Sequence, residues 1–322
     1  GTGASAVQLV PSLADRVGAL EVFQRTPSWI LPRDDRPWSR ARQQSYARMP
    51  LLGRLARWRT YVRLETRVLG FGRLDRARRL VQEQALARLA EAVPDPATRE
   101  ALTPHYALGC KRVLLSDDYW PTFARPDVAL VTAPIDRVEP WGVVTEDGEK
   151  HELDALVFAT GFDVRGSFDR VRITGLRGRT LADEWVSSRS THLGIEVAGF
   201  PELYLLLGPN TALGHNSVLV MIEAAIEHIL KALHRADEEG PHVVTRSAQA
   251  RFGRWVRQRT RHTVWGSGCQ SWYLDERGRN VAIWPASSIR YRVATRRLRA
   301  RSYERVTEDG PVRSTTGPTR VD

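Results

Sequence analysis

Two sets of residues in this sequence have the types and spacing to handle a phosphorylated ligand. The chain opens Gly1-Thr2-Gly3-Ala4-Ser5-Ala6. Small residues in a Gly-x-Gly-x-x-Ala turn ahead of a helix let backbone amides approach a pyrophosphate, and the helix N-terminus adds partial positive charge. The second set is basic: Arg25 within Gln24-Arg25-Thr26, and the adjacent Lys111 and Arg112. An acidic side chain where Arg25 stands would bond a ribose 2′-hydroxyl and favour NAD, whereas an arginine favours the 2′-phosphate of NADP. Lysine is scarce: Lys111, Lys150 and Lys231 are the three among 48 basic residues. Lys111 therefore stands out as a compact point charge in a chain that otherwise uses guanidinium forks.

These residues need elements to hold them. Val7, Val10, Leu13 and Val17 recur at helical spacing behind the glycine turn, and residues 20–23 read as a short strand. Turn, helix, strand and a basic residue at the strand end make most of a dinucleotide-binding βαβ unit. The strand that should precede Gly1 is not in the sequence, so we expect an N-terminally truncated chain. Residues 37–103 read as an Arg-rich helical insertion, with Leu51, Leu52, Leu55 and Trp58, then Leu80, Val81, Ala85, Leu86 and Leu89, at helical spacing. From about 107 short strands return: residues 127–131, a hairpin over 141–152 turning at Asp147-Gly148, a buried strand at 154–159 and another at 203–207. Helices are expected at 216–234 and 247–263. From 296 onward the chain is polar, basic and carries Gly, Pro, Ser and Thr, the composition of a mobile tail.

Composition removes several classes of function. A chain of 322 residues allows about two domains. With 42% hydrophobic and 26% charged residues it is neither collagen-like nor disordered. Two cysteines exclude a disulfide scaffold and a four-cysteine zinc site, and no metal is expected. The apolar runs are too short for an integral membrane segment, and no signal peptide is present, so the expectation is a cytoplasmic protein. The net charge of +11 admits a nucleotide phosphate, a nucleic acid or an anionic surface as partner. No RNA- or DNA-binding motif accompanies it, so no nucleic-acid partner is expected. There is no G-x-S-x-G elbow, no H-E-x-x-H and no C-x-x-C. His192, His215 and scattered serines do not by themselves define a hydrolase.

Five motifs in order resemble one family. Gly1 to Ala6 followed by Phe23-Gln24-Arg25-Thr26-Pro27-Ser28-Trp29 resembles the second dinucleotide motif of the flavin-dependent Baeyer–Villiger monooxygenases, within the wider flavin-containing monooxygenases. Gly109-Cys110-Lys111-Arg112 with Asp118-Tyr119 is similar to that family's lysine-arginine segment. Phe158-Ala159-Thr160-Gly161-Phe162 resembles its A-T-G-F linker. Gly208-Pro209-Asn210-Thr211 through His215-Asn216-Ser217 resembles its strand-to-helix turn near the flavin. Cys269, Ser271-Trp272-Tyr273, Gly278-Arg279-Asn280 and Trp284-Pro285 resemble its C-terminal active-site segment. The helical insertion fits the Baeyer–Villiger group, since plain flavin monooxygenases lack it. The family's first glycine motif, which holds the FAD pyrophosphate, its F-x-G-x-x-x-H-x-x-x-W-P fingerprint and an aspartate beside the flavin are absent from these residues.

The resemblance implies an α/β fold: a Rossmann-like NADP-binding domain at 1–125 with the helical insertion, the later part of an FAD-binding domain at 126–295, and the tail at 296–322. It implies FAD and NADPH as cofactors and a small-molecule ketone or aldehyde with O₂ as substrates. One oxygen would be inserted next to the carbonyl through a C4a-peroxyflavin, giving an ester or lactone. Gly1, Thr2, Gly3, Ala4, Ser5, Ala6, Gln24, Arg25, Thr26 and Lys111 would bind NADP. Ala159, Thr160, Gly161 and Phe162 would pass close to both dinucleotides, and Asn210, Asn216 and Ser217 would face the flavin. Arg112 would be the catalytic cation, stabilising negative charge as the carbonyl is attacked. Trp272, Tyr273 and Trp284 would contact substrate. Oxygenation of nitrogen or sulfur, and a catalytically incomplete NADP-binding fragment, stay open as alternatives.

Overall fold

The structure is a computed structural model that describes residues 1–72, 75–162, 168, 171–186, 188–307 and 310–312. Along the chain run α1 (Ala4–Ala14), β1 (Leu20–Phe23), β2 (Ile30–Leu31), α2 (Arg40–Arg48), α3 (Pro50–Glu65), α4 (Val68–Phe71), α5 (Asp75–Ala92) and α6 (Pro96–Ala101). Then follow β3 (Leu114–Leu115), α7 (Tyr119–Thr122), β4 (Val128–Val131), β5 (Ile135–Glu139), β6 (Gly142–Thr145) and β7 (Lys150–Glu152). The remainder is α8 (Leu181–Trp185), β8 (Glu196–Val197), β9 (Phe200–Tyr204), α9 (Val218–Glu239), β10 (His242–Val244), α10 (Arg246–Thr260), α11 (Ser288–Thr295), β11 (Tyr303–Thr307) and β12 (Gly310–Val312). They form two compact units, Gly1–Ala47 with Leu74–Asp163, and Arg48–Arg73 with Val164–Asp322.

In the first unit β1 pairs in parallel with β4, and β2 with β3. α1 buries Ala6, Val7, Val10 and Ala14, and the last three pack in a core with Val22, Trp29, Ile30, Leu89, Val93 and Tyr119. Of the expected face, Leu13 is half-buried and Val17 lies beyond the helix, 40% exposed. Arg125 ties the end of α1 to the start of β4, donating to Asp15 at 2.6 Å, to the Ala14 carbonyl at 2.7 Å and to Asp127 at 2.8 Å. The hairpin turns where expected, with Gly148 at φ +86°, a left-handed conformation that glycine adopts without strain. β5 joins it to make an antiparallel meander. His151 of β7 lies 2.9 Å from the Glu21 carboxylate on β1.

In the second unit α9, α10 and α11 pack around Ile195, Met221, Phe252, Trp284 and Tyr291. Each helix starts on a side-chain oxygen that accepts a backbone N–H: Ser217 for α9, Thr245 for α10 and Ser287 for α11. That fixes where each begins and satisfies one orphan amide apiece.

Four expectations are corrected. Residues 154–159 form no strand, and Val157 and Phe158 are 57% and 74% exposed. A strand needs a partner strand for its amides, and no strand among the described residues pairs with this segment. The strand expected at 203–207 is β9, which ends at Tyr204, and Leu207 takes φ +57°, outside the β region. The boundary at 125/126 falls instead at 163/164, and residues 48–73 of the insertion belong with the second unit. The contacts explain both shifts: the 135–152 meander bonds to β1, and Glu65 of α3 bonds to Asn216 and Ser288. The tail does not begin at 296, because β11 pairs with β10 and its Tyr303 is buried, donating to Glu196 at 2.7 Å. The expected tail over 313–322 lies outside the described residues. No helix among the described residues is long and apolar enough to cross a membrane.

Candidate active site

The glycine turn is pinned to the end of β1. The Gly1 amine donates to the Phe23 carbonyl at 3.1 Å, the Thr2 hydroxyl to the Thr26 carbonyl at 2.7 Å, and the Ser28 hydroxyl to the Thr2 carbonyl at 2.8 Å. A Cβ on Gly1 would lie 2.1 Å from the Ala159 carbonyl oxygen, so only glycine lets residues 159–160 pass this close. Gly3 caps α1 with no side-chain hydrogen bond, nothing lies within 4 Å of its Cβ direction, and the first turn carries no acid. Ala4 and Ser5 are exposed, while Ala6 is buried. A helix start with free amides and open space in front of it suits a phosphate.

Gln24 and Arg25 part company at the strand end. Gln24 is buried and its Nε2 donates to the Ala101 carbonyl of α6 at 2.7 Å, so its side chain does not face a ribose as expected. Alternation along the strand is the reason: Val22 and Gln24 point into the core, and Arg25 points out. Lys111 is half-buried, with its Nζ 5.0 Å from the Tyr106 ring centroid. Burial lowers the Lys111 pKa, and the charge of Arg25 lowers it further. Tyr106, which sequence reasoning missed, holds Lys111 there: its hydroxyl donates to the Pro27 carbonyl at 3.0 Å, and Trp29 Nε1 donates to its carbonyl at 2.7 Å. Among the described residues, no carboxylate is within ion-pair distance of Arg25 or Lys111. Two cations held together without a counter-charge match a phosphate dianion.

Arg112 is exposed just before β3, and no carboxylate among the described residues pairs with it. Ala159 is half-buried, while Thr160, Gly161 (φ +96°) and Phe162 (91% exposed) continue the segment that crosses the glycine turn. An open cleft between α1 and α7, lined by Pro11, Asp15, Asp118 and Arg125, contains none of the expected site residues.

The second unit holds the turn before α9. Asn216 Oδ1 accepts the Ser217 N–H at 2.8 Å, and Ser217 Oγ accepts the Leu219 N–H at 3.2 Å. Asn210, at φ +65°, is buried and donates from Nδ2 to the Asn280 carbonyl at 2.9 Å, so its side chain braces the protein and does not point at a ligand as expected. Asn280 in turn donates to Thr260 Oγ1 at 3.0 Å and to the Ile283 carbonyl at 2.8 Å. Trp284 is 2% exposed, packs against Trp255 in a tilted pair with ring centroids 4.8 Å apart, and donates to the Ser287 carbonyl at 2.8 Å. Tyr273 is 3% exposed between Trp265 and Trp272. These two are core aromatics, a correction to the substrate-contact expectation. Trp272 is 45% exposed.

Glu65 is the residue sequence reasoning missed in this unit. It is buried, accepts from Ser288 Oγ at 2.6 Å and from Asn216 Nδ2 at 2.9 Å, and lies 3.5 Å from His215 Nε2. Burial pushes its carboxyl up, but the hydrogen bonds from Ser288 and Asn216 and the charge of His215 outweigh that and hold it below the ordinary value. The available signal was its place as the lone acid among the arginines of α3. Among the described residues no cluster could hold a metal ion.

The residues present fit a nicotinamide dinucleotide phosphate in the first unit, through the open start of α1 and the Arg25–Lys111 pair. For a flavin they supply the turn before α9, whose backbone is fixed by Asn216 and Ser217.

No family model matches the chain. A Baeyer–Villiger monooxygenase of Pseudomonas aeruginosa is 39% identical over 311 residues, 95% of this chain and 59% of that protein. A Baeyer–Villiger monooxygenase of Streptomyces coelicolor is 38% identical over 308 residues, 94% of this chain and 59% of that protein. In fold, the chain is similar to an oxidized steroid monooxygenase bound to NADP, with TM-score 0.78 and 28% identity over 92% of this chain and 63% of that one. It is also similar in fold to OTEMO in complex with FAD and NADP, with TM-score 0.80 and 24% identity over 94% of this chain and 65% of that one. The chain therefore spans about three fifths of the relatives it matches.

Proposed function

We propose that this chain, a relative of the Baeyer–Villiger monooxygenases, supplies the NADP site and part of the flavin site of an FAD- and NADPH-dependent monooxygenase acting on a small ketone or aldehyde. The observation that carries the reading is the Arg25–Lys111 couple, with no carboxylate partner among the described residues, together with the open N-terminus of α1. That arrangement selects a 2′-phosphate: two cations lose little by approaching each other once a dianion lies between them. The pyrophosphate would lie on the α1 amides, where Gly1 and Gly3 leave room for it.

When bound, the flavin, reduced by hydride from the nicotinamide, supplies the activation of O₂. Arg112 is the residue we assign to catalysis. Its guanidinium has no carboxylate partner among the described residues, so it is available to hold negative charge that develops on a carbonyl oxygen. The start of α9 is fixed by Asn216 and Ser217, and its positive dipole end would favour an anionic flavin bound there. The exposed Trp272 offers an apolar surface to a substrate.

The test is product analysis of the chain supplied with FAD, NADPH and air. A cyclic ketone should give the lactone. An N-oxide from an amine with no lactone from the ketone would replace the Baeyer–Villiger reading with heteroatom oxygenation.

A further inference from the structure

The insertion does more than cover the second unit: it grips the turn before α9 at two points. Glu65, at the C-terminal end of α3, is the polar grip. Its Oε2 accepts from Asn216 Nδ2 at 2.9 Å and from Ser288 Oγ at 2.6 Å, and its Oε1 accepts the Ile289 N–H at 3.4 Å. Tyr61, one turn earlier on α3, is within 2.9 Å of the same Ser288 hydroxyl. Asn216 passes the constraint on, since its Oδ1 accepts the Ser217 N–H and Ser217 caps α9. Phe71 on α4 is the apolar grip. Its ring is stacked on Trp265 at 5.3 Å, and a Cβ added to Gly214 would meet it at 3.0 Å. One buried carboxylate thus sets the start of α9 and the start of α11 together, although neither helix is adjacent to α3 in sequence.

We propose that Glu65 is a positioning residue for the flavin: by fixing Asn216 and Ser217 it holds the α9 N-terminus in the orientation that binds the cofactor, which makes the helical insertion a determinant of flavin affinity. This rests on the functional reading above. A buried carboxylate with three donors is costly to remove: the Ile289 N–H loses its acceptor, and Asn216 and Ser288 keep only their contacts with Tyr61. Glutamine keeps one acceptor oxygen for Asn216 and Ser288, removes the charge, and gives up only the long 3.4 Å contact from the Ile289 N–H, where its NH₂ replaces an oxygen.

The test compares the 322-residue chain with Glu65→Ala, Glu65→Gln and a control, Leu181→Ala, which opens a cavity in a separate core cluster. Amide hydrogen exchange is read at 217–219 and 289–291, and FAD affinity is read by quenching of flavin fluorescence. Glu65→Ala should speed exchange at both places, and weaken FAD binding, by about tenfold or more. Glu65→Gln should restore both to within about threefold, and Leu181→Ala should change neither by more than about twofold. FAD affinity in Glu65→Ala within about twofold of the parent overturns the proposal. So does an equal loss in Leu181→Ala, which would make the effect one of general stability. A parent chain that binds no FAD overturns the functional reading instead, and exchange at 217–219 then decides by itself whether Glu65 sets the turn.

Discussion

Asn210 and Asn280 lie seventy residues apart in sequence and are joined by a 2.9 Å hydrogen bond from Asn210 Nδ2 to the Asn280 carbonyl oxygen. The Asn280 side chain completes the joint: its Oδ1 accepts the Ala282 and Ile283 N–H groups, and its Nδ2 reaches Thr260 and the Ile283 carbonyl. The turn before α9 and the segment after Trp272 are therefore one rigid piece. Asn280→Ala should leave several buried polar groups unpaired and lower stability by about 2–4 kcal/mol. Urea unfolding checks this, and a loss under about 1 kcal/mol would show that water replaces the side chain.

Arg25→Gln and Lys111→Gln should each weaken NADPH binding by about tenfold to a hundredfold, the worth of one charge-assisted phosphate contact. NADH, which lacks the phosphate, should bind the variants and the parent alike. Titration of both nucleotides distinguishes this from a general loss of the site.

Arg112→Ala should leave folding within about 0.5 kcal/mol of the parent, because the side chain is exposed and no carboxylate among the described residues pairs with it. Oxygenation of a ketone should fall by about a hundredfold or more, as when other fixed charge-stabilising donors are removed. Denaturation and product assays on the same preparation separate the two effects.

Acid should destabilise the second unit through His192. Burial pushes its pKa down to about 4 from 6.5, and its Nδ1 is buried without a partner. The folded value lies below the unfolded one, so as pH falls the unfolded chain takes up the proton first. This contribution is complete above pH 6.5 and declines from there to about pH 4, by up to about 3 kcal/mol. His192→Phe keeps the ring volume and should flatten the dependence of Tm on pH across that window.

What could be read from the sequence was local. The β1 strand, the hairpin turn at Asp147-Gly148 and the α9 helix follow from alternation, a turn dipeptide and a helical stripe. Arg25 and Lys111 were legible because their chemistry is in the side chain itself. Gln24 was not, because whether it faces in or out depends on where α6 lies, and Ala101 is 77 residues away. Trp284 and Tyr273 carry the same letters whether they line a pocket or fill a core. Glu65 was missed because its partners are 151 and 223 residues distant, and no local spacing records that. Residues 154–159 were misread because an apolar run signals a strand only when another strand lies beside it.

The most direct measurement is the visible absorption spectrum of the purified chain after incubation with FAD and desalting. The account predicts retained flavin that NADPH bleaches and air restores. A colourless chain with no affinity for NADPH would contradict it.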